Sequence, residues 1–508
     1  MDLSIAVILG YLIKFLLISA VAVLTVVYFY IRHNHGYWKK RGIPYEKPMP
    51  FVGSLSFLMR KSWYDYLSDF AKKFPQEYVG MFLGHKPALI VQSARLARNI
   101  LVRDFEHFED RYIYASRSTD PIGSLNLLTA KNPIWSYMRR EMTPMFTSAR
   151  LKMITELMNG NAQELVKKIK RDTEDHKEIK LKEIFSMYTS DTVAYTIFGL
   201  RMSALSGGDC PLWYITNNMV RFTFWRGLEF TLHFLVPVMA RIMRLRFFSN
   251  KATEYARNMF WSVVNERKEK GQYEERDLVN RLLVMKENMT LPTDGDPNLH
   301  DNLMLAQACV FVIGSVDTSS TTLSLCLHEL AYHPEIQDEV IAEVERTHQE
   351  TGKEVLEFED LLGMKLLTAC ILETLRKYPP VPHLDRICIK EYKLDDKLVV
   401  EKGTPVFVNV GAIHHDPQNY PEPMEWRPER FIASQEGDNR QFTFIPFGEG
   451  PRFCIGKRYG MLQVRAALAQ LMRNFRVEPH NPYDVESDPY ALTLAPARGG
   501  RVKFIPRT

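Results

Sequence analysis

The sequence lacks the spacings that mark common metal sites and disulfide frameworks. No C-x-x-C and no H-E-x-x-H occurs in its 508 residues, which argues against a zinc site. The six cysteines show no framework spacing: Cys210, Cys309, Cys326, Cys370, Cys388 and Cys454. We therefore expect reduced thiols in a cytosolic setting rather than disulfides.

A large excess of one charge is also missing. The formal net charge of +5 is mild for a chain of this size, so nucleic acid is not expected as a partner. A hydrophobic share of 46% and an aromatic share of 12% suffice for a large core, in one big domain or several.

One long apolar run stands at the N-terminus. From Leu3 to Ile31 the only charged residue is Lys14, and the unbroken run after it spans about 25 Å as a helix. We predict a transmembrane signal-anchor at residues 3–31. A cleaved signal peptide is the alternative, because Ala20-Val21-Ala22 resembles a cleavage site. That triplet lies inside the run, however, and the run is too long for a signal core.

The stretch after the span, residues 32–50, is basic and rich in proline. Its cations near the span are Arg32, Lys39, Lys40 and Arg41. Only Lys14 precedes the continuous part of the span, so residues 51–508 are expected to fold on the cytoplasmic side. Pro44, Pro48 and Pro50 predict a stiff linker.

A glycine-rich loop, F-G-E-G-P-R-F-C-I-G, precedes a helical pattern near the C-terminus. Cys454 therefore lies where a loop turns into a helix, and unpaired N–H groups there favour a thiolate. A phosphate loop does not fit, because five residues rather than four separate Gly450 from Gly456-Lys457. A dinucleotide fingerprint does not fit either, since its third glycine would fall at Phe453.

These ten residues resemble the haem-binding signature F-x-x-G-x-x-x-C-x-G of the haem-thiolate monooxygenases, the cytochromes P450. Phe447, Gly450, Cys454 and Gly456 fill its defined positions, and Arg452 fills its optional basic one. The resemblance implies haem b (iron protoporphyrin IX) with Cys454 as the axial thiolate, which favours O–O cleavage. From the residues alone, the alternative is a buried, inert cysteine in a glycine-rich turn.

Trp135 and Arg139 are four residues apart and are predicted to share one face of a helix. Both can donate a hydrogen bond to one carboxylate. The resemblance assigns the pair to a haem propionate, with Arg386 and Arg452 as further propionate partners. Without it, a surface arginine beside a half-buried tryptophan is the simpler interpretation.

A proline-free stretch from Leu303 to Tyr332 predicts a helix of about 45 Å, with Asp301 as its N-cap. Serine and threonine at its middle should bond back to carbonyls one turn earlier and bend it. Asp317-Thr318 resembles the acid–alcohol pair that relays protons in the family. Ser315 stands where the family usually has glycine; it either adds a hydroxyl to the relay or, as we favour, bonds back to the Phe311 carbonyl. From the residues alone, this is a polar stretch that faces a neighbouring helix.

Glu373 and Arg376 lie three residues apart on a predicted helix, so acid and base face one side. If exposed, such a pair would contribute little to stability. The resemblance adds Arg430, from the segment W-R-P-E-R-F, and implies a buried cluster of the three behind the haem that fixes the loop of Cys454.

Met219 to Phe248, which we call the roof, combines many large apolar residues with arginines, and Glu229 is its only acid. An apolar face flanked by arginines suits a segment in the headgroup region of a membrane. A core helix pair is the alternative. The resemblance implies both a cover for the substrate cavity and a contact with lipid.

A basic face is predicted near Cys454, where an acidic electron donor could dock. Its residues are Arg140, Arg150, Lys152, Lys457, Arg458 and Arg465. By resemblance the donors are NADPH–cytochrome P450 reductase and cytochrome b5, with NADPH as the electron source.

The nearest subgroup by resemblance is the insect microsomal monooxygenases that metabolise xenobiotics, and the implied fold is mainly α with small β-sheets. The implied reaction is of the unspecific-monooxygenase type and inserts one atom of O2 into an apolar xenobiotic, plant toxin, insecticide or endogenous lipophile at the endoplasmic reticulum membrane. A haem-thiolate isomerase or dehydratase and a non-enzymatic haem-binding sensor are the alternatives. An intact Asp317-Thr318 pair and a basic face argue against the isomerase or dehydratase, and a sensor would not require a proton relay.

Overall fold

The structure is a computed structural model. It describes residues 2–58, 60–174, 179–202, 204–207, 213, 216, 219, 223–271, 277–291, 295–432, 442–480, 482–498 and 501–507. Cys210 and residues 220–222 of the roof lie outside the described residues.

Helices make up most of the described chain. The first ten are α1 Asp2–Asn34, α2 Tyr37–Lys40, α3 Trp63–Lys73, α4 Ala94–Arg98, α5 Pro121–Leu125, α6 Ile134–Met142, α7 Ser148–Glu174, α8 Leu181–Phe198, α9 Phe224–Leu235 and α10 Pro237–Ile242. The others are α11 Asn250–Lys270, α12 Leu278–Glu287, α13 Leu299–Tyr332, α14 Pro334–Thr351, α15 Phe358–Gly363, α16 Lys365–Lys377, α17 Val410–His414, α18 Glu429–Ile432 and α19 Lys457–Asn474.

The strands are short and form small sheets. They are β1 Tyr78–Leu83, β2 Lys86–Val91, β3 His383–Ile387, β4 Tyr392–Lys393, β5 Val399–Val400, β6 Pro405–Asn409, β7 Phe475–Pro479, β8 Glu486–Ser487, β9 Pro496–Arg498 and β10 Val502–Pro506. The largest sheet has the order β1-β2-β6-β3, in which β2 and β6 are parallel and the other neighbours antiparallel. The pairs β7–β10, β4–β5 and β8–β9 complete the set.

The helix α13 forms the centre of the fold. It packs against α5, α8, α16 and α19, and most of its side chains are buried. The N-cap prediction at Asp301 is wrong, because the helix begins at Leu299, after Asn298. The Asp301 carboxylate instead accepts a hydrogen bond from Lys286, 2.5 Å away.

The N-terminal helix α1 has a different environment. Most of its apolar side chains from Ile8 to Tyr30 are exposed, so little of the described protein covers them. Two described helices are long and apolar enough to cross a membrane by composition, and the second, Leu299–Tyr332, is a buried core helix. That leaves the N-terminal one as the candidate membrane anchor.

A tryptophan joins the linker after α1 to the largest sheet. Trp38 is 1% exposed, and its indole N–H donates to the carbonyl of Met81 at 3.0 Å. A Cβ atom on Gly80 would lie 2.5 Å from the Trp38 ring, so the indole can pack here only against glycine. The linker is therefore attached to the folded domain just after the apolar helix ends.

Candidate functional site

The loop that carries Cys454 is held by its own backbone. The Cys454 N–H donates to the Phe447 carbonyl at 2.7 Å, and Gly448 N–H donates to the Ile445 carbonyl at 3.0 Å. Gly450 has a φ of 74°, and a Cβ atom there would lie 1.9 Å from the carbonyl oxygen of Leu101. Glycine is therefore required at the position where the loop meets the helical layer beneath it.

Cys454 combines accessibility with deep placement. It is the exposed member of the free cysteines that the structure describes, whereas Cys309, Cys326, Cys370 and Cys388 are buried. Even so, protein atoms surround it closely enough that desolvation raises the pKa of its thiol, while the Gly456 amide and Arg139 act in the opposite direction. A thiol that is accessible and yet desolvated is expected to line an internal cavity rather than the outer surface.

The middle of α13 lies beside this loop. The Oγ atom of Ser319 is 3.7 Å from the Cβ position of Gly460, in the first turns of α19 after Cys454. Gly314 is exposed although it lies in a core helix, and a Cβ atom there would touch nothing within 4 Å. Open space therefore exists next to the hydroxyl-bearing turn of α13.

Several hydroxyl groups of that turn follow the predicted pattern, whereas Thr321 Oγ1 donates to the Leu494 carbonyl. Thr318 Oγ1 donates to the Gly314 carbonyl at 2.8 Å, and Thr322 Oγ1 donates to the Thr318 carbonyl at 2.9 Å. The favoured back-bond from Ser315 to Phe311 is wrong, because Ser315 forms no hydrogen bond with any described residue. Ser315 is half-buried.

Asp317 has a partner that the sequence analysis missed. The Nζ atom of Lys182, on α8, lies 2.8 Å from Asp317 Oδ1 and also donates to Ser320 Oγ and Thr321 Oγ1. On the other side, Thr493 Oγ1 donates to Asp317 Oδ2 at 3.3 Å. The lysine side chain is 31% exposed, so it connects the buried carboxylate to solvent.

Two buried arginines have donor atoms without acceptors. Nε of Arg386 and Nη1 of Arg452 are buried and find no partner among the described residues. Burial lowers the pKa of Arg386 well below its usual value and that of Arg452 to about 9. Arg452 is paired with Asp110 at 3.2 Å through Nη2, but the two orphaned donor atoms can still hold an anion.

The predicted Trp135–Arg139 pair lies next to Arg452, but its two side chains contact different groups. Arg452 stacks on the Trp135 ring at 4.0 Å. Arg139 donates to the Phe453 carbonyl at 2.9 Å and lies over the Phe453 ring. Arg139 thus contacts Phe453, the residue before Cys454, while Trp135 packs on Arg452.

In the charged cluster behind the loop, Glu373 and Arg376 are fully buried and the Arg430 side chain is 12% exposed. Arg376 makes two hydrogen bonds to Glu373, at 2.7 and 2.8 Å, and both residues are 0% exposed. Arg430 Nε lies 3.3 Å from Glu373 Oε1, and the Arg427 backbone N–H donates to the same oxygen. Trp426 fits beside them, with its indole N–H donating to Thr374 at 3.1 Å.

The basic face is smaller than expected. Lys457 and Arg458 are exposed beside the loop. Arg465 instead points inward, donates to Thr368 Oγ1 at 2.9 Å, and has a pKa lowered to about 10 by burial. Lys152 is exposed but paired with Glu359.

A mainly helical fold with a lone thiol in a glycine-rich loop beside an acid–alcohol turn defines the class of haem-thiolate proteins. The comparison with family models agrees: the model described as "Cytochrome P450" matches residues 43–504. The chain belongs to the cytochrome P450 family. It is therefore a haem monooxygenase, and its family implies a cysteine thiolate ligand, a redox partner and small-molecule substrates.

Insect proteins are among its relatives. The chain is 31% identical to "Cytochrome P450 6k1" of Blattella germanica, with 97% of each chain covered. It is 32% identical to "Probable cytochrome P450 6d5" of Drosophila melanogaster, with 96% of this chain and 98% of the relative covered. "Cytochrome P450 9c1" of Drosophila melanogaster is 30% identical over 91% of this chain and 93% of the relative.

The residues present fit a haem group. Arg386 and Arg452 have free buried donors for the two carboxylates that a haem carries. No group of three or more His, Cys, Asp or Glu among the described residues could hold a metal ion by itself, so a metal bound by Cys454 must bring its other ligands. A porphyrin supplies those ligands.

Proposed function

We propose that this protein is a microsomal monooxygenase that inserts one oxygen atom of O2 into apolar small molecules. Its electrons come from NADPH through NADPH–cytochrome P450 reductase, with cytochrome b5 as a further donor. The observation that supports this most is Cys454, an accessible thiol in the glycine-rich loop, whereas the other described cysteines are buried. The direct test is reconstitution with reductase and NADPH, a panel of apolar substrates, and identification of oxygenated products.

The alternatives make different predictions in this assay. An isomerase or dehydratase would form product without reductase, and a sensor would bind haem without consuming NADPH. Product formation that requires both reductase and NADPH, and that incorporates label from ¹⁸O2, supports the monooxygenase. Turnover in the absence of reductase would contradict it.

In the proposed site, Cys454 would hold the iron, and Arg386 and Arg452 would bind the propionates together with Trp135 and Arg139. Bound haem would supply oxygen activation, for which the thiolate is an electron-rich ligand. The cluster at Glu373 keeps the loop in place, and Phe447, Gly450 and Gly456 shape it.

Asp317 and Thr318 are proposed to bring protons to the open space beside Gly314. Lys182 exchanges protons with solvent through its exposed part and donates to Asp317, and the Thr318 hydroxyl lies one residue further along. Lys182 and Thr493 each donate to one carboxylate oxygen of Asp317. Asp317 can therefore pass a proton to the open space beside Gly314 only when one of these contacts breaks. The ion pair with Lys182 therefore limits how readily the Asp317 carboxylate rotates.

Replacing Thr318 with alanine is expected to uncouple the reaction. General acid–base assistance contributes ~10²-fold or more, so product should fall by about that factor while NADPH oxidation continues and peroxide accumulates. Asp317→Asn should slow NADPH oxidation itself, because proton delivery is lost. The ratio of product to NADPH oxidised separates the two effects.

The control for this experiment is Thr322→Ala. It removes the same hydroxyl one turn further along α13, where the side chain is nearly buried and bonds to the Thr318 carbonyl. Thr322→Ala should keep its coupling ratio. Unchanged coupling in Thr318→Ala would contradict the relay.

The roof is proposed to bind lipid at the endoplasmic reticulum membrane, on the cytoplasmic side. Trp225 is 72% exposed and Ile242 is 67% exposed, whereas Phe230 and Leu235 are buried. The roof thus packs on the core with one face and leaves a second apolar face uncovered. Phe51 and Val52, just after the linker, are exposed as well.

A protein that lacks residues 1–31 is therefore expected to bind vesicles through this surface. In sedimentation with vesicles, Trp225→Glu combined with Ile242→Glu should reduce the bound fraction several-fold, because charged side chains are expelled from the bilayer boundary. Met153→Glu is the control, since Met153 is also exposed but lies on α7. Equal loss in the control, or no binding by the truncated protein at low salt, would exclude the roof as a lipid contact.

A further inference from the structure

A buried histidine connects the charged cluster to the loop of Cys454. His414 ends the short helix α17 and is 0% exposed. Its Nδ1 atom lies 3.2 Å from the Arg376 carbonyl, and its Nε2 atom lies 2.9 Å from the backbone nitrogen of Ile445. One imidazole ring therefore contacts both the end of α16 and the start of the loop.

These contacts fix the protonation of the ring. A backbone N–H can only donate, so Nε2 of His414 must accept from Ile445 and carry no proton. Nδ1 then carries the proton and donates to the Arg376 carbonyl, near the end of α16 where carbonyl groups lack helical partners. Burial, together with His415 and Arg376, lowers the pKa of His414 well below its usual value, which keeps the ring neutral.

The connection to Arg376 runs in both directions. Arg376 Nη1 donates to the His414 carbonyl at 3.0 Å, while the Arg376 carbonyl accepts from the His414 ring. The same guanidinium is bound by Glu373 through its other nitrogens. The position of His414 is thus set by the charged cluster, and the ring of Phe444 stacks against it at 5.5 Å.

On the other side, Ile445 begins the hydrogen-bonded turn that leads to the thiol. The Ile445 carbonyl accepts from Gly448 N–H, and the Phe447 carbonyl accepts from Cys454 N–H at 2.7 Å. Ile445 is itself 1% exposed, so its N–H would be left unsatisfied without His414.

We infer that His414 is a positioning residue for the thiolate loop: it transmits the placement of the Glu373–Arg376 pair to Ile445 and hence to Cys454. This inference rests on the proposed role of Cys454 as the haem ligand. The essential contact is the acceptor that Nε2 offers to Ile445, and the donor at Nδ1 chiefly holds the ring.

Two substitutions separate the two ring nitrogens. The amide of His414→Gln can reach the place of Nε2 and accept from Ile445, whereas the shorter amide of His414→Asn can replace only Nδ1. Both remove the imidazole, so both should lower stability to a similar degree. Only His414→Asn removes the acceptor at the loop.

The variants are compared as haem-loaded, full-length protein. In the ferrous carbonyl spectrum, His414→Asn is expected to lose most of its thiolate Soret band per haem, while His414→Gln keeps most of it. Hydrogen exchange over residues 443–448 should rise at least ~10-fold in His414→Asn, because an accepted hydrogen bond is lost, and should change less in His414→Gln.

Equal thiolate fractions and equal exchange in the two variants would overturn the inference and leave His414 as an ordinary core residue. A wild-type protein without a thiolate Soret band would instead contradict the role of Cys454. In that case the exchange measurement still tests the contact between His414 and Ile445, since it does not depend on ligation.

Discussion

Cys454→Ala is expected to abolish thiolate ligation and with it the oxygenation of substrate. The other described cysteines are buried and lie outside the loop, so none can replace the lost sulfur. The thiolate is the electron-rich ligand that favours O–O cleavage, and alanine offers no donor atom. The ferrous carbonyl complex of the variant should lack the thiolate Soret band, and product formation should fall to the background level.

Cys326→Ala provides the matched control. Cys326 lies on α13, is fully buried, and has a pKa raised to about 12 by desolvation, so it stays a neutral thiol. The Cys326→Ala variant should keep the thiolate Soret band. Its stability should fall only by the free energy that a small cavity costs. A Soret band that persists at the thiolate position in Cys454→Ala would show that another group binds the iron.

The loop of Cys454 could be predicted from the sequence because its geometry is local. Gly448 and Gly450 both adopt a positive φ, and the turn is closed by hydrogen bonds within ten residues. Short-range requirements of this kind leave a recognisable pattern of residue types. The family assignment rests on the same local patterns, repeated along the chain.

Contacts between distant parts of the chain could not be predicted in this way. Lys182 meets Asp317 only because α8 packs on α13, and a lysine in an amphipathic helix otherwise indicates solvent. The prediction that Arg465 is a surface charge was wrong for the same reason, since Arg465 donates a hydrogen bond to Thr368 on the neighbouring helix α16. His414 gave no signal in the sequence, because its partners Arg376 and Ile445 lie 38 and 31 residues away along the chain.

The roof shows why two interpretations of one amphipathic pattern can both hold. The sequence allowed either a core helix pair or a lipid-facing segment. In the structure Phe230 is buried under the same segment that exposes Trp225 and Ile242. The helices α9 and α10 carry apolar residues on opposite faces, which is compatible with either interpretation, and periodicity alone does not distinguish that case from either extreme.

Glu373→Ala is expected to be the most destabilising of the substitutions considered. Arg376 is 0% exposed and would lose both hydrogen bonds to the carboxylate, and Arg427 N–H and Arg430 would lose the same acceptor. Removal of one partner of a buried pair costs about 3–5 kcal/mol, because the remaining charge is uncompensated. Since whole domains are stable by only about 5–15 kcal/mol, a large share of the stability of the fold should be lost.

The measurement is urea unfolding of the haem-loaded protein, followed both by tryptophan fluorescence and by the thiolate Soret band. Because the cluster supports the loop through His414, the Soret band of Glu373→Ala should disappear at lower urea than the fluorescence change. Arg476→Ala is the control: its pair with Asp338 is half exposed, and such a surface pair contributes less than about 1 kcal/mol. If Glu373→Ala unfolded at the same urea concentration as Arg476→Ala, the buried cluster would not be what holds the loop of Cys454 in place.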